Sequence, residues 1–295
     1  MLDVKRLVLL RDLAEYGTVT AVADVHDITP SAVSQQLRAL ETEAGAALLR
    51  REGRSVRLTA AGAALAAQSE HVIAALEEAS GVVRAFDLEV SGELVIGCMP
   101  SGLETLAAPL AAALADAHPR LRPRIVEVEP EQSLPLLRQR ELDLALTYRY
   151  PHLGMPMPKG LLAYKLFHDP LMLAVPEELR AIDGLAALRD HRWITTPAPS
   201  ACRDVTVHAC QSAGFTPVIE HTYHDLRAAL ALVAAGMGVT ILPMMMCGPR
   251  PGVALLPLPG KSRTIEAVIR AGTQAHPAVS AALQTASTIP ACTAS

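Results

Sequence analysis

The chain has 295 residues, 51% of them apolar and only 3% aromatic, with a formal net charge of −4. That length supports two or three domains packed mainly by Leu, Val, Ile and Ala, and the charge excludes a wholly basic nucleic-acid coat but not a local basic patch. The five cysteines (98, 202, 210, 247 and 292) are odd in number and form no CxxC, which argues against a disulfide framework and a structural zinc site.

Lys5 and Arg6 precede "LVLL", but Arg11 and Asp12 end that run too soon for a signal peptide. No stretch approaches the roughly 20 apolar residues that span a bilayer, so a soluble, cytoplasmic protein with no membrane partner is expected. "VKRLVLLRDLAEY" then places Leu7, Leu10 and Leu13 at helical spacing. Gly17 and Thr18 stop this helix, "TAVADV" makes a second, and "HDITP" is a turn. Thr29 before Pro30 reads as an N-cap with proline at the first helical position. The third helix buries Ala32, Val33, Leu37 and Leu40, and Gly45 closes it.

Two short helices joined by a tight turn give a helix-turn-helix, whose second helix enters the major groove N-terminus first. Thr29, Pro30, Ser31, Ser34, Gln35 and Gln36 lie at that end, and their hydroxyls and amides suit base edges and phosphate oxygens. An ordinary surface helix is the competing reading. "LLRREGRSVRLT" follows as two strands around a turn, a wing whose Arg51 and Arg54, with Arg38 of the third helix, suit the phosphate backbone. Arg50 and Arg57 lie in the same run.

"TAAGAALAAQSEHVIAALEEASGVVRAFDLE" reads as one long helix. Leu65, Val72, Ala79 and Phe86 recur at heptad spacing, with Ser69, Leu76 and Val83 between them. Such a seam packs on a partner helix or lies along the chain's own second domain.

The stretches "TPSAVSQQLRALETEAGAALLRREGRSVRLTAAG" and "SGELVIG" resemble the LysR-type transcriptional regulators, most specifically over residues 7–62. The resemblance implies a winged helix-turn-helix, a dimerising linker helix and a two-lobed effector-binding domain. It also implies double-stranded DNA as partner, a small-molecule effector, a homodimer that pairs into a homotetramer, and RNA polymerase as a further candidate partner. No enzyme activity, cofactor or metal is expected. His26 stands where the family usually has a buried leucine, Leu49 where it has phenylalanine, and Pro30-Ser31 replaces the commoner Gln-Pro.

The rest alternates strand and helix, an α/β pattern. "GELVIGCM", "RPRIVEVE" and "LDLALTY" read as strands, separated by helices "ETLAAPLAAALADAHP" and "EQSLPLLRQR". "LLAYKLF", "LMLAV", "RWITT", "PVIEHTY", "GVTIL" and "RTIEAVIRAG" are further strands; "ACRDVTVHACQSAGF", "DLRAALALVAAG" and "HPAVSAALQTA" are helices, and "TIPACTAS" is a frayed tail. The expected division is a DNA-binding domain over 1–58, a linker helix over 59–89 and a periplasmic-binding-protein-like effector domain over 90–295. Lobe I takes about 90–160 and 265–295 and lobe II about 161–264, with passages implied near 150–161 and 260–264.

Open α/β sheets bind ligands beyond the carboxyl ends of their strands, which points to Pro100, Ser101, Gly102, Thr147, Thr195 and Thr196, with Glu129 in the same set. Simple helix capping is the competing role for Ser101 and the threonines. "AGMGV" is a helix stop rather than a dinucleotide loop, and His221 with His224 lack companions for a metal. "CRDVTVHAC" resembles the redox stretch of the family's peroxide-sensing branch, one residue shorter. Eight residues on one helix span about 12 Å, too far for a Cys202–Cys210 disulfide unless the helix melts. A thiol redox sensor and a small-molecule-binding protein that has lost DNA binding are the alternatives.

Overall fold

The computed structural model describes residues 1–53, 55–86, 89–154, 157–248 and 250–289. Arg54, expected in the wing, and residues 290–295 of the expected tail lie outside them. Helices α1 (Val4–Tyr16), α2 (Val19–Val25) and α3 (Pro30–Ala44) form the N-terminal unit, followed by the wing strands β1 (Leu49–Glu52) and β2 (Ser55–Leu58). Thr29 Oγ1 accepts from the Ala32 amide and Gly45 closes α3 at φ 62°, as the capping signals require. Leu7, Leu10, Leu13, Val33, Leu37 and Leu40 share one core, onto which Leu49 packs. His26, at the end of α2, places its Nε2 2.7 Å from Asp12 Oδ2, a hydrogen bond that clasps α2 to α1.

Helix α4 (Ala60–Arg84) leaves the wing through a fixed joint. Thr59 donates its amide to Leu48 O at 2.8 Å and its hydroxyl to Ala47 O at 2.8 Å. A Cβ on Gly62 would stand 2.1 Å from Leu48 O, so only glycine allows this approach. The helix presents two faces. Gly62, Ala66, Ser69, Ile73 and Gly81 are buried against the chain's own domains, whereas Val72, Leu76 and Val83 are exposed by 40%, 43% and 72%, as is Phe86, by 82%, just past the helix end. The expected seam therefore divides. Ser69 turns inward and its hydroxyl bonds Leu65 O at 2.8 Å, because a straight helix drifts by about 20° per heptad relative to a 3.5-residue repeat.

The C-terminal domain holds a sheet of order β4-β3-β5-β10-β6-β9 and a separate parallel pair, β7-β8. Strands β3 (Gly92–Cys98), β4 (Leu121–Glu127) and β5 (Leu144–Arg149) are parallel neighbours, with α5 (Ala108–Ala117) and α6 (Pro130–Arg138) as their crossovers. Strands β6 (Leu161–Pro176) and β10 (Val253–Arg270) run antiparallel to each other along both lobes. "LLAYKLF" and "LMLAV" are thus one strand. The first passage between lobes lies near Asp169, later than the expected 150–161, because Leu161 to Phe167 still pair with the lobe I half of β10. Lobe II adds β7 (Arg192–Thr195), α7 (Ala201–Ser212), β8 (Val218–Thr222), α8 (Leu226–Ala234) and β9 (Thr240–Pro243); α9 (Pro277–Thr288) returns to lobe I.

The DNA-module helices and lobe I are tied by charge. Arg138, in the last turn of α6, is buried and pairs with Glu15 of α1, with Glu70 of α4 at 2.9 Å, and with Asp12 of α1 at 3.7 Å. Arg140 and Arg270 both reach Glu77 of α4, at 2.8 and 3.4 Å. Close to this seam, His276 precedes α9 opposite Gly81, and burial together with Arg84 holds its imidazole below the ordinary value near 6.5. A base whose pKa is depressed on folding contributes stability above its unfolded pKa, and that contribution is lost as pH falls through the folded value. The thermal midpoint should therefore drop on acidification from about pH 7.5 to about pH 5, and His276→Gln should flatten that drop. A slope identical in wild type and variant would mean that His276 does not sense this joint.

Candidate DNA interface and effector cleft

On α3 the buried positions fix what remains outward. Val33, Leu37 and Leu40 face the core, so Ser31, Gln35 and Arg38 fall together on the outer face at i, i+4 and i+7, and all are exposed. Ser34 and Gln36 are differently engaged. Ser34 Oγ donates to Pro30 O at 2.9 Å, while Gln36 Oε1 accepts from Arg6 Nε of α1 at 2.9 Å, bracing α3 from behind. Thr29 and Pro30 are exposed at the helix start. In the wing Arg50 and Arg57 are cross-strand partners, Arg51 is exposed beside them, and Arg57 pairs with Glu52 at 3.3 Å. Glu41 Oε1 of α3 accepts the amides of Leu48 and Leu49, at 2.9 and 3.0 Å, and so sets the wing against the recognition helix.

The second candidate site forms where β6 and β10 cross between lobes. Asp169 and Arg263 are register partners, and Arg263 Nε donates to Asp169 Oδ2 at 2.9 Å with both side chains 1% exposed. The same guanidinium donates to Ser101 Oγ at 2.9 Å and lies 4.6 Å from the Tyr148 ring centroid. Burial pushes the Asp169 carboxyl up even though Arg263 opposes that shift. Tyr148 and Tyr150 approach Cys202 Sγ of lobe II with their hydroxyls, at 3.7 and 3.5 Å, and burial raises both phenols. Thr196 Oγ1 and Ser200 Oγ are 2.6 Å apart beside the start of α7. A cavity of about 850 Å³ opens alongside, lined by Pro100, Ser101, Glu127, Asp225, Met245 and Arg250 among others, with Arg227 paired to Glu104 across its mouth at 2.7 Å.

Several residues expected from the sequence thus meet here, and some do not. Pro100 and Ser101 line the cavity; Thr196 lies against Ser200 at the start of α7, and Thr195 is buried before it, its carbonyl accepting from Tyr223 N at 3.1 Å. Gly102 packs inward, where a Cβ would stand 2.8 Å from Met99 Cε. Glu129 is the N-cap residue of α6, and its carboxyl is raised by partial burial and then by Glu131. Thr147 sits at the end of β5. It is buried, and it lines a cavity of about 330 Å³ together with Tyr148, Tyr150 and Ala201. Arg263, Asp169, Tyr148, Tyr150 and Ser200 were missed by sequence reasoning, and the one available signal was an Arg opening the otherwise apolar run "RTIEAVI".

Comparison with known proteins fits this geometry. A model of the bacterial regulatory helix-turn-helix protein, lysR family, matches residues 4–63, and one of the LysR substrate binding domain matches residues 87–288. The chain belongs to the LysR family. It is a DNA-binding transcriptional regulator of the LysR type with an effector-binding domain. It is 28% identical over 280 residues to the DNA-binding transcriptional dual regulator OxyR of Escherichia coli, covering 92% of this chain and 90% of that one. With the HTH-type transcriptional regulator ShiR of Corynebacterium glutamicum it shares 32% over 222 residues, 72% of each chain. The full-length CbnR solved in complex with its target DNA has the same fold, at a TM-score of 0.56 and 21% identity over 97% of this chain and 99% of that one. Among the described residues of this regulator, no helix is long and apolar enough to cross a membrane.

Breaking a buried ion pair by removing one partner costs about 3–5 kcal/mol, whereas replacing both by apolar groups is often neutral. Arg263→Met should destabilise the regulator by that amount in urea unfolding, and adding Asp169→Leu should recover most of it. A single variant as stable as wild type would remove this pair from the account of how the lobes hold together.

Proposed function

We propose that this regulator reads double-stranded operator DNA through the Ser31–Gln35–Arg38 face of α3, with Thr29, Pro30 and the wing arginines on the phosphates. The supporting observation is that these residues share one exposed face while the rest of α3 is spent on the core and on α1. Hydroxyl and amide groups suit base edges, and guanidinium groups suit phosphate oxygens. A small polar effector enters the cleft beside Ser101, Thr196 and Ser200, and its binding shifts the balance between lobe arrangements. Two chains pair through the outer face of α4, where Val72, Leu76 and Val83 are exposed, with Phe86 just beyond it, and such dimers assemble further into a tetramer. The protein acts in the cytoplasm at a promoter, within reach of RNA polymerase, and catalyses no reaction of its own.

One observation favours a second reading. Cys202 lies in the cleft against two tyrosine hydroxyls, so its thiol is placed to respond to an oxidant. Against a two-cysteine switch, Cys210 is eight residues along the same helix, about 12 Å away, and burial pushes its thiol up to about 12. Retention of any peroxide response in Cys202→Ser would dispose of that reading.

Replacing Arg50 and Arg51 by alanine should weaken binding to every sequence and flatten the slope of log affinity against log salt by about 0.9 for each phosphate no longer neutralised. Gln35→Ala should instead relax sequence preference, costing about 1–3 kcal/mol on the native operator only. Footprinting across a salt series separates the two effects, and an unchanged salt slope would count against the wing. For the oligomer, Leu76→Glu with Phe86→Glu should yield a monomer in sedimentation. A persisting dimer would exclude this face of α4 as the interface.

A further inference from the structure

The apolar core of the DNA-binding unit draws no residue from lobe I. The tie between them is the ionic one at Arg138, and beside it lies a cavity of about 470 Å³ lined by Arg11, His26, Glu70 and Arg138 among others. Asp12 of α1 is the acid in that cluster whose second oxygen leads away from lobe I. It is 2% exposed. Its Oδ1 accepts from Arg11 Nε at 2.8 Å and lies 3.7 Å from Arg138 Nη2, while its Oδ2 accepts from His26 Nε2 at 2.7 Å. A shift of this carboxylate towards or away from Arg138 is therefore felt by His26. Arg11 supplies a counter-ion from the same helix, so Asp12 stays paired when lobe I departs.

His26 opens the turn between α2 and α3. It C-caps α2, with its amide on Val22 O at 3.1 Å. The next residue, Asp27, has φ 50°, a left-handed conformation that residues other than glycine adopt rarely and that persists only where its surroundings hold it. Two residues further, Thr29 Oγ1 accepts the Ala32 amide at 3.2 Å and lies 2.9 Å from Ser31 Oγ, at the end of α3 assigned to DNA. The path from lobe I to the first turn of α3 is continuous: Arg138, Asp12, His26, the strained turn, Thr29.

We propose that Asp12 and His26 are positioning residues for operator reading: through them the docking of lobe I on the DNA-binding unit sets the pose of the turn and of the first turn of α3. The inference rests on the reading that α3 contacts bases. An apolar side chain at position 26 would pack the turn but make no bond to Asp12, so the coupling belongs to the histidine. Contiguous contacts amount to coupling only when a change at one end alters the energetics at the other, which a double-mutant cycle measures.

The probe is the duplex that the full-length wild type selects from a random pool, with a scrambled duplex as control. Binding is measured for full-length Arg138→Gln, His26→Leu and the double variant. Arg138→Gln should weaken binding to the selected duplex about fivefold, the lower end of couplings between sites, and leave the scrambled duplex as in wild type. In the His26→Leu background the same change should matter by less than about twofold, the margin within which independent sites add. Equal loss in both backgrounds would overturn the proposal. So would equal loss on both duplexes, which marks a merely structural role, or an unchanged or higher affinity of Arg138→Gln for the selected duplex. Should Arg138→Gln not fold, Arg138→Lys carries the same cycle, since one ammonium cannot serve three acids as a guanidinium fork does. Gln35→Ala keeps the underlying reading separate. If it leaves sequence preference intact, base reading by α3 fails and takes the proposal with it; a relaxed preference beside an additive cycle defeats the proposal alone.

Discussion

The arrangement of this molecule depends on one guanidinium. Arg138 sits where α1 of the DNA-binding unit, the linker helix and lobe I converge, and it is shared by carboxylates from the first two while its backbone belongs to the third. A buried arginine is stable only while those acids surround it, because an unpaired buried charge costs several kcal/mol. The domains therefore do not slide past one another by small steps. They dock with the acids in place or separate with Arg138 hydrated, which is the discrete behaviour that a switch requires. Arg138 also ends the helix that starts beside Glu129 at the effector cleft, so a displacement of α6 at one end is felt among the acids at the other.

The linker helix answers to two demands at once. Its inner stripe is made of small residues because chain passes close to it on both sides: a Cβ on Gly272 would stand 2.1 Å from Ala74 O, and Gly62 is pressed on Leu48. Its outer stripe is large, apolar and exposed. The heptad spacing and the own-domain packing, which look like rival explanations in the sequence, are both present, on faces that adjoin each other around the helix.

Local chemistry carried most of what was legible. Capping and helical spacing fixed α1 at Val4–Tyr16 and α3 at Pro30–Ala44, since Thr29, Pro30 and Gly45 act through backbone groups only a few residues away. Charged residues inside the fold were not legible. Arg263 and Arg138 drew no reading, because nothing within ten positions announces Asp169 or Glu70. The first half of β10 was hidden as well, since the prolines and glycine of "VALLPLPGKS" look like loop and are tolerated here near a register shift. Which face Thr147 serves was not legible either. Position at a strand end says that a residue is near a cleft, but alternation decides which face it serves, and the apolar run of β5 conceals that alternation.

The joint at Thr59 and Gly62 has a consequence for the DNA. With the wing clamped to the first turn of α4 by two hydrogen bonds and a close glycine approach, the recognition helix and the linker helix turn as one piece. In a pair of such chains, a change in the crossing angle of the two long helices becomes a change in the distance between the two readers. The protein then acts as a pair of calipers, and the spacing of the half-sites it accepts is set far from the bases it touches.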